Sequence, residues 1–222
     1  MLLVLWDIDG TLVDCAGHGR HAFEEAFHAV VGRAPEPVEF AGRTDHEIAL
    51  AMLGGSGRQL PLLVEELATA LERRKPAIRR EGRAFPGAEE ALRALAAHEG
   101  VVQSLLTGNL ESNAAVKLSA FGLERFVDLR VGGYGSDPHG ARSDLVVVAR
   151  ERATASYGEP TDTVLIGDTP LDVRAAREAG ARAVAVASGS YGLEELSAVR
   201  PDAVLADLRD TARVVAAVTA ST

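Results

Sequence analysis

Leu2-Leu3-Val4-Leu5-Trp6-Asp7-Ile8-Asp9-Gly10-Thr11-Leu12-Val13 decides the fold. An apolar run this short, ending abruptly in Asp-x-Asp-Gly-Thr, fits a central strand covered on both faces better than an alternating, half-exposed one. In extended backbone Asp7 and Asp9, two apart, project from the same side of the strand. Two carboxylates at a poorly hydrated strand end repel each other, so one takes up a proton unless a cation lies between them. A hard divalent ion such as Mg²⁺ satisfies that demand. The plainer reading of the same residues is an acidic turn in which Gly10 permits the bend and Thr11 caps the next element.

The chain has 222 residues, 47% of them hydrophobic, enough for a substantial core. A formal net charge of -9 argues against nonspecific binding to nucleic acid or an anionic membrane, which draws on clustered Lys and Arg. No apolar run reaches the ~18 residues of a membrane span, and no basic stretch precedes Leu2, so the expected compartment is the cytoplasm. The single cysteine, Cys15, excludes an intrachain disulfide and a cysteine-based zinc site.

Beyond Thr11 the pattern changes twice. Phe23, Phe27, Val30 and Val31 make one apolar helical stripe, ended by Gly32 and Pro35. Thr44-Asp45-His46-Glu47 has the spacing of a capping box, opening a helix through Ile48, Met52 and Leu53. A third helix spans about Gln59 to about Glu81, with Pro76 as a point of kinking. From Phe85 onward strands and helices alternate: strands at 101–106, 126–131, 163–166, 182–187 and 203–205, separated by helices. Such alternation predicts a parallel, doubly wound α/β sheet. The all-helical stretch is then an insertion, with one domain formed by 1–14 and 84–222 and a helical domain by 15–83.

Ligands of such sheets bind beyond the carboxyl ends of the strands. Thr107-Gly108-Asn109 stands at one such end, where a hydroxyl and free amides suit a phosphate, although the same residues also suit helix capping. Gly167-Asp168-Thr169-Pro170-Leu171-Asp172 stands at another and brings two further carboxylates. A phosphate beside these acids needs counter-charge. The only lysines are Lys75 and Lys117, and Arg142, at the start of a helix, is the better-placed cation.

These segments, in this order, resemble the motifs of the haloacid dehalogenase-like hydrolase superfamily: Asp7-Ile8-Asp9-Gly10-Thr11 resembles motif one, Thr107-Gly108-Asn109 motif two, and Gly167 to Asp172 motif four. The third motif usually supplies lysine, so Arg142 there is a departure. The insertion resembles the C1 cap of phosphoglycolate phosphatase-like members, which implies a Rossmann-like core with an all-helical cap.

The resemblance implies a phosphatase acting on a small-molecule phosphomonoester, with Asp7 as nucleophile and Asp9 as general acid and base. It implies Mg²⁺ held by the Asp7 carboxylate, the Asp9 backbone carbonyl and Asp168, with Asp172 orienting a metal-bound water. Thr107, Gly108, Asn109 and Arg142 would bind the phosphoryl group. Arg43 and His18 are the candidates on the helical side for reading the rest of the substrate. By the same resemblance, an acid at Asp9 favours a phosphatase over a dehalogenase, because a departing halide needs no proton. A mutase of the β-phosphoglucomutase type and a noncatalytic phosphate-binding regulator are the alternatives.

Overall fold

The computed structural model describes residues 1–40, 42–138 and 140–220. These residues form a six-stranded parallel sheet in the order β5 (Gly133–Tyr134), β4 (Val101–Thr107), β1 (Leu2–Trp6), β6 (Asp162–Gly167), β7 (Arg182–Val186) and β8 (Ala203–Leu205), so β1 lies between β4 and β6. The central place of β1 follows from its composition. Val4 and Trp6 enter one apolar cluster and Leu3 and Leu5 the other, all fully buried, so each face of the strand has its own core.

The first face is covered by α4 (Ala88–Ala96), α5 (Glu111–Ser119) and α9 (Thr211–Thr219); the second by α6 (Arg142–Tyr157), α7 (Pro170–Glu178) and α8 (Leu193–Ala198). On the far side of the sheet lie β7 (Arg182–Val186) and β8 (Ala203–Leu205). One polar group inside the first core is fully served: Gln103 accepts from Trp6 Nε1 at 3.0 Å and donates to the carbonyls of Leu92 and Phe126 at 2.8 and 3.3 Å.

The strand expected over 126–131 is absent among the described residues. Short 3₁₀ turns occupy Glu124–Phe126 and Leu129–Val131, and the edge strand is β5 (Gly133–Tyr134), paired with Leu106 and Thr107. Asp128 is the cause. Its backbone N–H donates to the Gln103 carbonyl at 2.8 Å, but its carboxylate accepts from Arg130 N at 3.0 Å and curls the chain out of strand geometry after one rung.

The chain leaves and rejoins the sheet through an antiparallel ribbon, β2 (Val13–Asp14) against β3 (Arg83–Ala84). Between them stand α1 (His18–Val31), α2 (Asp45–Met52) and α3 (Leu60–Glu81). The stripe of α1 holds: Phe23 and Phe27 are buried with Leu63, Leu67 and Leu71 of α3. Helix α3 remains helical through Pro76. At α2 the capping box forms as its spacing predicts, with Glu47 N donating to Thr44 Oγ1 at 3.2 Å and Thr44 N donating to Glu47 Oε2 at 2.7 Å. No helix of the described residues is long and apolar enough to cross a membrane.

Replacing Gln103 by Leu leaves the buried Trp6 N–H without its acceptor and takes a donor from the Leu92 and Phe126 carbonyls. Gln103→Leu should therefore destabilise the fold by about 1–3 kcal/mol. Urea denaturation should show a lower midpoint at unchanged slope.

Candidate active site

The register of β1 sets Trp6 beside Leu105 and Ile166, so the residues just past all three central strands emerge at one edge of the sheet. Asp7 leaves β1 there and Asp168 leaves β6, both buried. The backbone closes tightly on Asp168. A Cβ at Gly10, where φ is +86°, would lie 2.4 Å from its Oδ2, and one at Gly189 only 1.8 Å from it. Glycine is required at both positions for backbone to approach the carboxylate, and at Gly10 for its positive φ as well. Thr11 Oγ1 donates to Asp168 Oδ1 at 3.1 Å, and Ser188 Oγ ties the Gly10 carbonyl at 2.7 Å.

Asp172 joins from the first turn of α7. Its Oδ2 accepts from Thr169 N and Oγ1 at 3.1 and 2.7 Å, a second capping box, which leaves Oδ1 facing the cluster. Carboxylate oxygens of Asp7, Asp168 and Asp172 all lie within 4.8 Å of one another. Burial, together with the Asp172 charge, drives the Asp7 carboxyl well above the usual range despite Arg142. Burial and the same Asp172 charge push Asp168 to about 7.

Arg142, at the N-terminus of α6, answers this concentration of charge. Its Nη2 donates to Asp7 Oδ1 at 3.0 Å and to Asp172 Oδ1 at 2.7 Å, while Nε reaches the same Asp172 oxygen at 3.1 Å. The structure thus places Arg142 beside the carboxylates. Arg150, a conceivable substitute, is engaged elsewhere, with Thr163 Oγ1 and the carbonyls of Ala179 and Gly180.

Asp9 has a different surrounding from the one its spacing suggests. The strand ends at Trp6, so Asp7 and Asp9 do not share one extended face, and the Asp9 carboxylate stands outside the cluster of three. It is half-exposed, and its Oδ2 accepts from Asn109 Nδ2 at 2.8 Å and from Lys117 Nζ at 2.6 Å. Asn109 in turn donates to Thr107 Oγ1 at 2.7 Å and accepts from Lys117 at 2.6 Å.

Lys117 is a cavity-lining residue that reading strand ends overlooks, because it lies nearly two turns inside α5. One signal was present. Asn113 and Lys117, four apart on α5 and in step with Asn109 just before it, put polar side chains on the buried face beside Ala114, Val116 and Leu118. Burial would lower the pKa of the Lys117 ammonium, but the charge of Asp9, helped by Asp45 and by the hydrogen bond to Asp9, outweighs it and holds the pKa above the usual lysine value.

A cavity of about 660 Å³ opens over these groups. Asp7, Asp9, Thr107 and Asp168 line it from the sheet, and Phe23, Phe40 and Arg43 from the helical segment. His18, expected at the entrance, is not among the lining residues. Its Nε2 lies 2.9 Å from Glu81 Oε2, where it joins α1 to α3. Cys15 does border the cavity, with burial raising its thiol to about 12, far from the reactive thiolate.

The helical segment is fastened to the sheet beside this cavity. Asp45 N donates to the Gly108 carbonyl at 2.8 Å, and the buried Asp45 carboxylate accepts from Leu110 N at 2.9 Å and Asn113 Nδ2 at 2.7 Å. His46 Nδ1 lies 2.7 Å from the Gly135 carbonyl. A Cβ on Gly108 would come within 2.8 Å of the Arg43 carbonyl, so only glycine admits so close an approach.

Three buried, mutually repelling carboxylates with oxygen-only donors fit a hard divalent cation. Asp7 and Asp168 are the ligands that Arg142 leaves best disposed, since Asp168 has no contact with it and Asp7 gives it only Oδ1.

A family description, haloacid dehalogenase-like hydrolase, matches residues 1–180. A probable phosphatase of Dickeya dadantii, IndB, is 29% identical over 211 residues, covering 91% of this chain and 88% of its own length. A phosphoglycolate phosphatase of Xylella fastidiosa is 32% identical over 183 residues, covering 80% of this chain and 76% of its own. The crystal structure of a hydrolase from Pseudomonas syringae superposes with a TM-score of 0.69 at 26% identity, each chain being covered completely.

The raised carboxyl of Asp168 makes stability depend on pH. Its folded-state pKa lies near 7, above the ordinary 3.8, so its contribution is most favourable at low pH and is lost as pH rises through about 7. Metal-free protein should thus lose unfolding free energy progressively as pH rises from about 4 to about 7. A divalent cation should restore most of it at pH 8, as chemical denaturation with and without the ion will show.

Proposed function

Because the chain belongs to the haloacid dehalogenase-like hydrolase family, we propose that it is a Mg²⁺-dependent phosphatase that hydrolyses a small phosphomonoester through an aspartyl-phosphate on Asp7. The observation that carries this reading is the pairing of two unlike aspartates on one cavity. Asp7 is buried against Arg142, and Asp9 is half-exposed beside Asn109 and Lys117. A simple phosphate binder has no use for an unprotected carboxylate next to its anion.

Asp7 and Asp168, with the Asp9 backbone carbonyl and with Asp172 behind them, would hold the cation, whose charge would neutralise phosphoryl oxygens when bound. Arg142 holds Asp7 in place through Nη2 and presents a guanidinium that can bind two phosphoryl oxygens. Thr107, the Gly108 amide and Asn109 bind the same group from the end of β4, where fixed donors meet developing charge.

Asp7 forms a bond to phosphorus while the ester oxygen departs with a proton from Asp9. Water then attacks the aspartyl-phosphate and gives its proton to Asp9, which frees Asp7 and releases inorganic phosphate.

Residues 15–83 act as a cap that closes the cavity and reads the leaving group, whereas 1–14 and 84–222 perform the chemistry. Support comes from the narrow β2–β3 crossing and from Arg43, exposed on the cavity wall. The names of the relatives make a small phosphorylated hydroxyacid the first substrate to try.

Asp7→Asn should lower turnover by about three orders of magnitude or more in a phosphomonoester panel, with the melting temperature retained. Chelation should silence the wild type and Mg²⁺ revive it. Across the same panel Thr107→Ala should depress every substrate alike, whereas Arg43→Ala should reorder them. Wild-type turnover in Asp7→Asn refutes the nucleophile, and an unchanged substrate order in Arg43→Ala removes that residue from recognition.

A further inference from the structure

The two oxygens of the Asp9 carboxylate are not equivalent. Oδ2 accepts from both Lys117 Nζ, at 2.6 Å, and Asn109 Nδ2, at 2.8 Å, whereas Oδ1 accepts from no protein group among the described residues, and Asp9 lines the cavity. Lys117 is itself held: it is buried, and its second hydrogen bond, to Asn109 Oδ1 at 2.6 Å, closes a three-membered ring of contacts. Asn109 is anchored by Thr107 Oγ1. A carboxylate on a short side chain rotates freely unless one oxygen is pinned, and proton transfer demands heavy atoms within about 2.6–3.2 Å along a defined direction.

We infer that Lys117 is a positioning residue for proton transfer: with Asn109 it ties down Asp9 Oδ2, so that Oδ1 alone exchanges a proton with the ester oxygen and then with water. The inference rests on the reading of Asp9 as the proton donor of the proposed phosphatase. The proton leaves Oδ1 as the bond between phosphorus and the ester oxygen breaks, and returns to Oδ1 from the attacking water, so the carboxylate ends as it began. Lys117 donates hydrogen bonds throughout and loses no proton. Arg142 serves the other aspartate, and no contact joins the two cations among the described residues.

A group that acts through proton donation matters in proportion to the leaving group's need for a proton. An alkoxide cannot depart unprotonated, whereas a nitrophenolate can. The test compares kcat/KM, which reports on steps through the first phosphoryl transfer, for an alkyl phosphate and for p-nitrophenyl phosphate, each with Mg²⁺. Lys117→Met removes the donor and keeps the length of the side chain.

The expected result is a loss on the order of a hundredfold on the alkyl ester and of no more than about threefold on the aryl ester. Because both substrates are assayed on one preparation, a smaller folded fraction cancels from the ratio. Lys117→Gln, shorter and polar, repeats the comparison where Lys117→Met folds poorly.

Equal losses on both esters overturn the inference, since they assign Lys117 to phosphate binding or to the fold. Asp9→Asn serves as the separate control and should show the same selectivity in stronger form. An Asp9→Asn enzyme as active as wild type on the alkyl ester would remove the proton donor, and the proposed mechanism would fall together with the role of Lys117. Selective Asp9→Asn with nonselective Lys117→Met refutes Lys117 alone.

Discussion

Mutual repulsion among buried carboxylates is the constraint on which this structure depends. Asp7, just past β1, meets Asp168, just past β6, and Asp172, in the first turn of α7, within 4.8 Å where water is scarce. Like charges this close raise each other's affinity for protons, as at Asp7 and Asp168. The surrounding chain is shaped by that conflict. Gly10 and Gly189 let backbone close over Asp168, Thr11 donates to it, and the capping box of α7 fixes Asp172 by one oxygen so that the other meets Arg142. Arg142 offsets part of the charge, and a divalent cation suits what is left.

The two aspartates of the opening stretch are separated chemically by what contacts them. Asp7 is enclosed with other acids and a guanidinium, while Asp9 has an amide, an ammonium and open space. Identical side chains thereby acquire unlike surroundings, because environment rather than residue type governs how a carboxylate behaves. The cations are divided in the same way. Arg142 lies with its fork across Asp7 and Asp172, whereas Lys117 acts as a compact point between Asp9 and Asn109.

Contacts from the helical segment reach the same residues. Asp45 sits at the start of α2, yet its carboxylate accepts from Leu110 and Asn113, next to Asn109 and one turn from Lys117 on α5. Burial raises its carboxyl, and the charge of Lys117 opposes that rise. Thus the segment that roofs the cavity is bonded to the helix that holds Lys117. Apolar packing reinforces the connection, since the buried residues of α1 and α3 are continuous with those that α5 turns toward the sheet.

The sequence alone determined the fold class and the principal acids, because both are written in local patterns. Unbroken Leu and Val runs require a strand covered on two faces, alternation with helices requires parallel pairing, and topology then sends Asp7, Thr107 and Asp168 to one edge. Arg142 was legible by elimination in a chain with two lysines. Tertiary structure alone decided the partnerships. Whether Asp9 faces Asp7 or Lys117 depends on where β1 ends and on how α5 is rotated against it, neither of which has a local signature. His18 was read toward the cavity and instead meets Glu81, 63 positions away, and the Phe126 to Val131 strand gave way to the side chain of Asp128. Periodicity specifies which face of an element is apolar, but only the packing of one element on another brings residues 108 positions apart, Asp9 and Lys117, to within a hydrogen bond.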